Sequence, residues 1–168
     1  RIWSAGCSSG EEPYTLGMLL SEFAEGTPGF DFSIIGTDIS TTVLDVAKKA
    51  IYDEDKIGLI PQEMMRKYLL RSRNKDAGKV RINPALRSKV RFERLNFMEK
   101  NFGFRVPFDI IFCRNVIIYF DFETQQKLLN KFMNYLEEGS YLFMGHSETL
   151  YGMGLPLNHL APATYQRI

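Results

Sequence analysis

The chain has little of what builds redox, metal or membrane sites. Its 168 residues contain two cysteines, Cys7 and Cys113, far apart and outside any Cys-x-x-Cys pair. A disulfide framework is not expected, and a reduced cytoplasmic compartment is. The two histidines, His146 and His159, stand at no ligand spacing with each other or with cysteine, so no metal site is expected. No apolar run approaches the ~20 residues a membrane helix needs, and no stretch reads as a secretory leader. The net charge of +1 points to no nucleic-acid or membrane partner. The G-x-G-x-x-G spacing of dinucleotide sites is missing. Also missing is a lead-in before residue 1, which already lies in what reads as a core strand. A fragment of a longer protein is therefore expected.

What is present suits one α/β domain, with 45% hydrophobic residues to fill a single core. Residues 2–5 form a short apolar strand that runs into Gly6-Cys7-Ser8-Ser9-Gly10 and then Glu11-Glu12-Pro13. Glycine lets backbone approach a ligand closely, and a helix start offers unpaired N–H groups. A pyrophosphate would want a neutral or positive rim. This turn offers G-x-x-x-G and two carboxylates, which favour a cationic, hydroxylated ligand without phosphate, such as S-adenosylmethionine. The same turn also serves as a plain strand-to-helix connection, its acids complementing the helix dipole.

Helical spacing follows over 14–25, a buried strand over 32–37, and a helix through Lys49 capped at Ser40-Thr41-Thr42, with Val43, Leu44, Val46 and Ala47 inward. A βαβα run signals a doubly wound parallel sheet. Asp38 ends the second strand, where an acid can accept both ribose hydroxyls of a nucleoside; an Asx-type turn is its alternative role. A near-continuous apolar strand over 108–113 ends in Arg114-Asn115. Asp121 caps a helix over 122–137, Gly139 stops it, 141–144 forms a strand ending at Gly145-His146-Ser147, and 163–168 offers a last strand. Polar residues thus recur at strand ends (6–12, Asp38, Asn96, Arg114-Asn115, His146-Ser147), as ligand sites in open α/β sheets do.

Residues 51–89 interrupt the alternation. They read as an inserted helix with a small antiparallel β-subdomain, within a catalytic domain spanning 1–168. Residues 66–94 hold eleven Lys or Arg against Asp76 and Glu93, about +9, so the remainder is about −8. A basic surface for an acidic partner and a plain solvated face both fit this count.

GEEPY at 10–14, TDIS at 37–40, FCRNVIIYF at 112–120 and GHSE at 145–148 resemble the CheR family of chemotaxis receptor methyltransferases, in order and across almost the whole chain. The resemblance implies a Rossmann-like S-adenosylmethionine-dependent methyltransferase fold with a mostly parallel seven-stranded sheet. It implies methyl transfer to glutamate carboxylates of chemoreceptors, leaving S-adenosylhomocysteine. By motif, one acid of Glu11-Glu12, Glu12 foremost, would bind the methionine end of the cofactor, and Gly6 is a further cofactor-binding candidate. Asp38 would take the ribose, and Asn96 and Phe97 would flank the adenine. Arg114 and Asn115 would line the pocket near the methyl group, with Tyr119 on the substrate side; as the catalytic pair, Arg114 and Tyr119 would orient the substrate carboxylate or the adjacent cofactor groups. The implied partner is the acidic surface of chemoreceptor cytoplasmic helices, met by 66–94, with the enzyme expected to be a monomer.

Two departures qualify the implied activity. The family's helical N-terminal domain, which helps cover the cofactor, is not in this chain, so weak binding and turnover are expected. The family's β-subdomain tethers receptor peptides in some members through a glycine-rich loop, whereas residues 71–81 here hold one glycine. The Asn/Asp-Pro-Pro-aromatic signature typical of methyltransferases of DNA amine nitrogens is absent, and no nucleic-acid substrate is expected. A CheR-like module that binds the cofactor and signals without turnover is the alternative.

Overall fold

The computed structural model describes residues 1–73 and 78–168. In chain order its first half comprises β1 (Ile2–Ala5), α1 (Glu11–Glu25), β2 (Ile34–Asp38), α2 (Thr41–Lys49) and β3 (Ile51–Asp53). Then come α3 (Gln62–Tyr68), β4 (Leu69–Arg71), β5 (Lys79–Ile82), α4 (Pro84–Arg87) and β6 (Val90–Arg94). The last elements are β7 (Phe108–Cys113), α5 (Phe122–Met133), β8 (Leu136–Met144), β9 (Leu157–Ala161) and β10 (Thr164–Arg167).

β1 is buried along its whole length because it lies inside the sheet, with β2 parallel on one side and β7 parallel on the other. The sheet has seven strands in the order β6-β2-β1-β7-β8-β10-β9. β6 and β8 extend the parallel set, and β10 runs antiparallel to both β8 and β9. The chain works outward from β1 to β2 and β6, then crosses back to β7. The order therefore reverses between β1 and β7, where doubly wound sheets open a ligand crevice.

Of the three hydrophobic clusters among the described residues, two are large. The single tryptophan, Trp3, is fully buried among Phe97, Phe102, Phe104, Phe108, Phe132 and Tyr135, with ring centroids 4.8–6.4 Å away. Its indole N–H donates to Thr37 Oγ1 at 2.8 Å, which satisfies the one polar atom buried with it. The second core joins α1, α2 and β6 to a separate three-stranded antiparallel sheet, ordered β3-β5-β4, through Tyr14, Leu44, Ala47, Tyr52, Val80 and Phe92.

Several boundaries differ from the sequence reading. α1 begins at Glu11, not residue 14, because Gly10 takes a left-handed conformation (φ 91°) and starts the helix three residues earlier. α5 ends at Met133, and Gly139 lies within β8 instead of stopping the helix. Pairing to β7 jumps from Phe108↔Leu136 to Ile110↔Tyr141, so extra residues of β8 form a bulge, and Gly139 supplies the positive φ (80°) there. Val46 is 39% exposed, because the buried stripe of α2 runs through Leu44 and Ala47. β9, a mostly exposed edge strand, had no apolar signature to announce it. The loop read over 71–81 lies partly in residues 74–77, outside the described residues.

Candidate functional site

The carboxyl ends of β1, β2, β6 and β7 surround a cleft of about 520 Å³. The first wall is the turn after β1. Gly6 N and Cys7 N both donate to Thr37 O, at 2.8 and 2.9 Å, which folds the turn over the end of β2. Gly6 has φ +78°, and a Cβ there would stand 2.5 Å from Val116 Cγ2, so only glycine lets the two loops touch. Ser8 is also left-handed (φ 49°), and its N–H donates to Asp38 Oδ2 at 3.0 Å. Asp38 Oδ1 accepts from Ser40 N at 3.0 Å. Asp38 is thus an Asx-type brace for two loops, and it also lines the cleft. Ser40 stands at the N-cap of α2 without a side-chain cap bond.

The second wall follows β6. Leu95, Asn96, Phe97 and Met98 line it, with Ile39 opposite. Asn96 Oδ1 accepts from Met98 N at 2.9 Å, which shapes this turn. Phe97 is held edge-on by Trp3, Phe102 and Phe132. The third wall follows β7: Asn115, left-handed at φ 58°, then Val116, Tyr119 and Phe120. Tyr119, on the 3-10 turn Ile117–Tyr119, is 80% exposed at the mouth.

Glu12 and Arg114 meet above the reversal point. Glu12 Oε1 accepts from the buried Ser4 hydroxyl at 2.8 Å, and Arg114 Nη1 stands 3.4 Å from Glu12 Oε2. Neither lines the cleft itself; both flank the turn that does. Glu11 faces elsewhere. Successive helix residues are about 100° apart, and Glu11 turns into a separate apolar groove of about 400 Å³ between α1 and the small sheet, where it accepts from Ser9 Oγ. Of the acid pair, only Glu12 reaches the reversal point. His146 and Ser147 are exposed and do not line the cleft.

One residue with an evident part in this site carried no role in the sequence reading. Glu148, quoted only within GHSE, is buried, and its carboxylate accepts from the backbone N–H groups of Asn115, Val116, Ile117 and Gly145. A glutamate three residues after a strand-end glycine is its only sequence signal.

Both cysteines are free and buried. Burial, then Asp38, pushes the Cys7 thiol up to about 12. Burial, then Glu148 and Glu12, raises Cys113 well above its ordinary range.

Among the described residues, the cleft lining includes Asp38, Asn96 and Asn115 as polar groups, apolar side chains on facing walls, and no Lys or Arg. It lacks compensation for a pyrophosphate and fits a nucleoside ligand with hydroxyls and no phosphate, the cofactor chemistry of S-adenosylmethionine. A parallel sheet with one reversed strand and this cleft at its switch point define the class as a Rossmann-like methyltransferase fold. Solved methyltransferases share that fold: an O-methyltransferase family 2 protein from Planctomyces limnophilus superposes at TM-score 0.51 and 16% identity, covering 85% of this chain and 30% of that one. The family described as CheR methyltransferase, SAM binding domain, matches residues 1–163. The chain belongs to that family. It is 47% identical over 168 residues to the chemotaxis protein methyltransferase of Borreliella burgdorferi, covering 99% of this chain and 58% of that protein. It is 39% identical over 148 residues to the Escherichia coli protein of the same name, covering 88% of this chain and 51% of that protein. The chain thus spans little more than half the length of these relatives. Among the described residues, no helix is long and apolar enough to cross a membrane.

Proposed function

We propose that this chain is the catalytic part of a cytoplasmic protein-glutamate O-methyltransferase that modifies chemoreceptor carboxylates. The observation that carries the reading is the convergence of Gly6, Asp38, Asn96, Asn115 and Tyr119 on one cleft at the switch point, in a chain of the CheR family. Asp38 accepts from the ribose hydroxyls, and Asn96 and Phe97 flank the adenine. Gly6 lets the loop after β7 close against the turn that lines the cleft, and Asn115 lines the inner wall. Glu12, fixed by Ser4 and Arg114, receives the ammonium of the methionine end.

S-adenosylmethionine supplies a methyl group on a sulfonium. A glutamate acceptor is already ionised at neutral pH, so the chain needs no strong base. Its task is to strip the carboxylate of water and hold one oxygen in line. Positioning of this kind is worth roughly 7–11 kcal/mol of barrier. Tyr119, exposed at the mouth, and Arg114, on the turn beside it, take that task. The receptor contact falls to 66–94, although Lys67, Arg71, Lys79, Lys89 and Arg91 each pair with an acid of the chain itself. Those pairs leave less net positive charge for a partner than the residue count suggests.

The test is calorimetric titration of the complete protein with S-adenosylhomocysteine, beside Asp38→Ala. Saturable binding that falls at least tenfold in the variant supports the cofactor site; equal binding removes Asp38 from it. In single-turnover methylation of a receptor fragment, Tyr119→Phe is expected to lose more than about threefold, and a smaller loss removes Tyr119 from catalysis.

A further inference from the structure

We propose that Glu148 is a positioning residue for the cofactor cleft. It holds the inner wall in its binding shape without touching the ligand. The proposal rests on the cofactor reading above.

The parallel ladder between β7 and β8 ends at Cys113↔Met144. Beyond that pair the chain turns sharply through left-handed Asn115, and the N–H groups of residues 115–117 lose their ladder partners. Glu148 takes them up. Its Oε2 accepts from Asn115 N at 2.9 Å and Gly145 N at 2.7 Å, and its Oε1 accepts from Val116 N at 2.9 Å and Ile117 N at 3.0 Å. An ionised carboxylate has about four lone-pair sites, and here all four are used. A protonated carboxyl or an amide cannot accept four such bonds.

The surroundings are built to this carboxylate. A Cβ on Gly145 would stand 2.6 Å from Glu148 Oε2 and 3.1 Å from Asn115 N, so glycine is required for the two loops to close on it. The residues so fixed are those of the cleft: Asn115 and Val116 directly, and Tyr119 through the 3-10 turn that starts at Ile117. Val116 in turn rests against Gly6. The strands need no such help, since their own ladder holds them. Glu148 therefore governs a strained segment of the site more than the stability of the sheet.

The experiment compares Glu148→Gln and Glu148→Asp with wild type in the complete protein. Met133→Ala, a core change on α5 away from the cleft, is the control for general destabilisation. Amide exchange without ligand is expected to accelerate at least tenfold at residues 115–117 in Glu148→Gln. S-adenosylhomocysteine dissociation constants are expected to rise at least tenfold in Glu148→Gln and by less in Glu148→Asp. The KM for S-adenosylmethionine should rise with them. Met133→Ala should leave the dissociation constant within twofold. If Glu148→Gln fails to fold, Glu148→Asp decides by the same readouts. Faster exchange with unchanged affinity overturns the positioning role, and so does an equal affinity loss in Met133→Ala. A wild-type protein that binds no S-adenosylhomocysteine overturns the cofactor reading itself, before any variant is compared.

Discussion

The Tyr52 hydroxyl donates to the Ser9 carbonyl at 2.8 Å and so ties the small antiparallel sheet to the glycine turn after β1. The Tyr52 ring meets Tyr14 edge-on at 6.3 Å, and Tyr14 meets Phe92 edge-on at 5.5 Å, so the tie runs on into α1 and β6. Burial pushes the Tyr52 phenol well above its usual range, which keeps it a neutral donor. Tyr52→Phe keeps the ring contacts and leaves the Ser9 carbonyl without this partner. A loss of about 1 kcal/mol is expected in urea unfolding. S-adenosylhomocysteine affinity should fall about threefold, because Ser8 of the same turn holds Asp38. Unchanged stability and affinity would show that the turn is fixed without the small sheet.

Gly6→Ala introduces two faults at one atom. The backbone stays at φ +78°, which costs an L-residue roughly 1–2 kcal/mol. The new Cβ also meets Val116 Cγ2 at 2.5 Å and drives that side chain from its place in the cleft wall. Together they should cost about 2–3 kcal/mol and abolish measurable S-adenosylhomocysteine binding. Adding Val116→Ala relieves the clash and leaves the backbone strain. The double variant should therefore be more stable than the sum of the single changes predicts, with a coupling of at least ~0.5 kcal/mol. Additive losses in the urea series would mean that Val116 already moves freely.

The parts of this fold legible in the sequence are those whose residues answer to one constraint. β1, β2 and β7 lie buried between neighbours, so they read as short apolar runs, and their polar ends marked the cleft. Residues under two constraints were harder. Glu137, Glu138 and Gly139 read as a helix end by composition, yet β7 recruits them into a bulged strand. Glu11 and Glu12 are chemically identical and adjacent, and only the helix start at Glu11 decides that Glu12 meets Ser4 and Arg114. Glu148 was opaque for a different reason. Its partners are four backbone N–H groups, which leave no trace in residue identity.

The buried thiol makes stability depend on alkaline pH in a definite direction. Cys7 is held protonated to about 12, against an ordinary value of 9.0, first by burial and then by Asp38. Above pH ~9 the unfolded chain releases this proton and the folded chain keeps it. The unfolded state then binds fewer protons, so unfolding becomes easier as pH rises. The loss begins near 9 and is complete near 12; below 9 Cys7 contributes no slope. Tyr14, raised to about 12 by burial, adds to the upper part of the same window. Urea midpoints are expected to be level from pH 7 to 8.5 with respect to these groups and to fall from 9 to 11. Cys7→Ala should be less stable at pH 7, through lost packing, but decline less steeply from 9 to 11. The slope, not the level, is the readout. Iodoacetamide at pH 8 should label neither cysteine until denaturant is added. A Cys7→Ala slope equal to that of wild type, or rapid labelling of the folded chain, would show that the thiol is not sequestered.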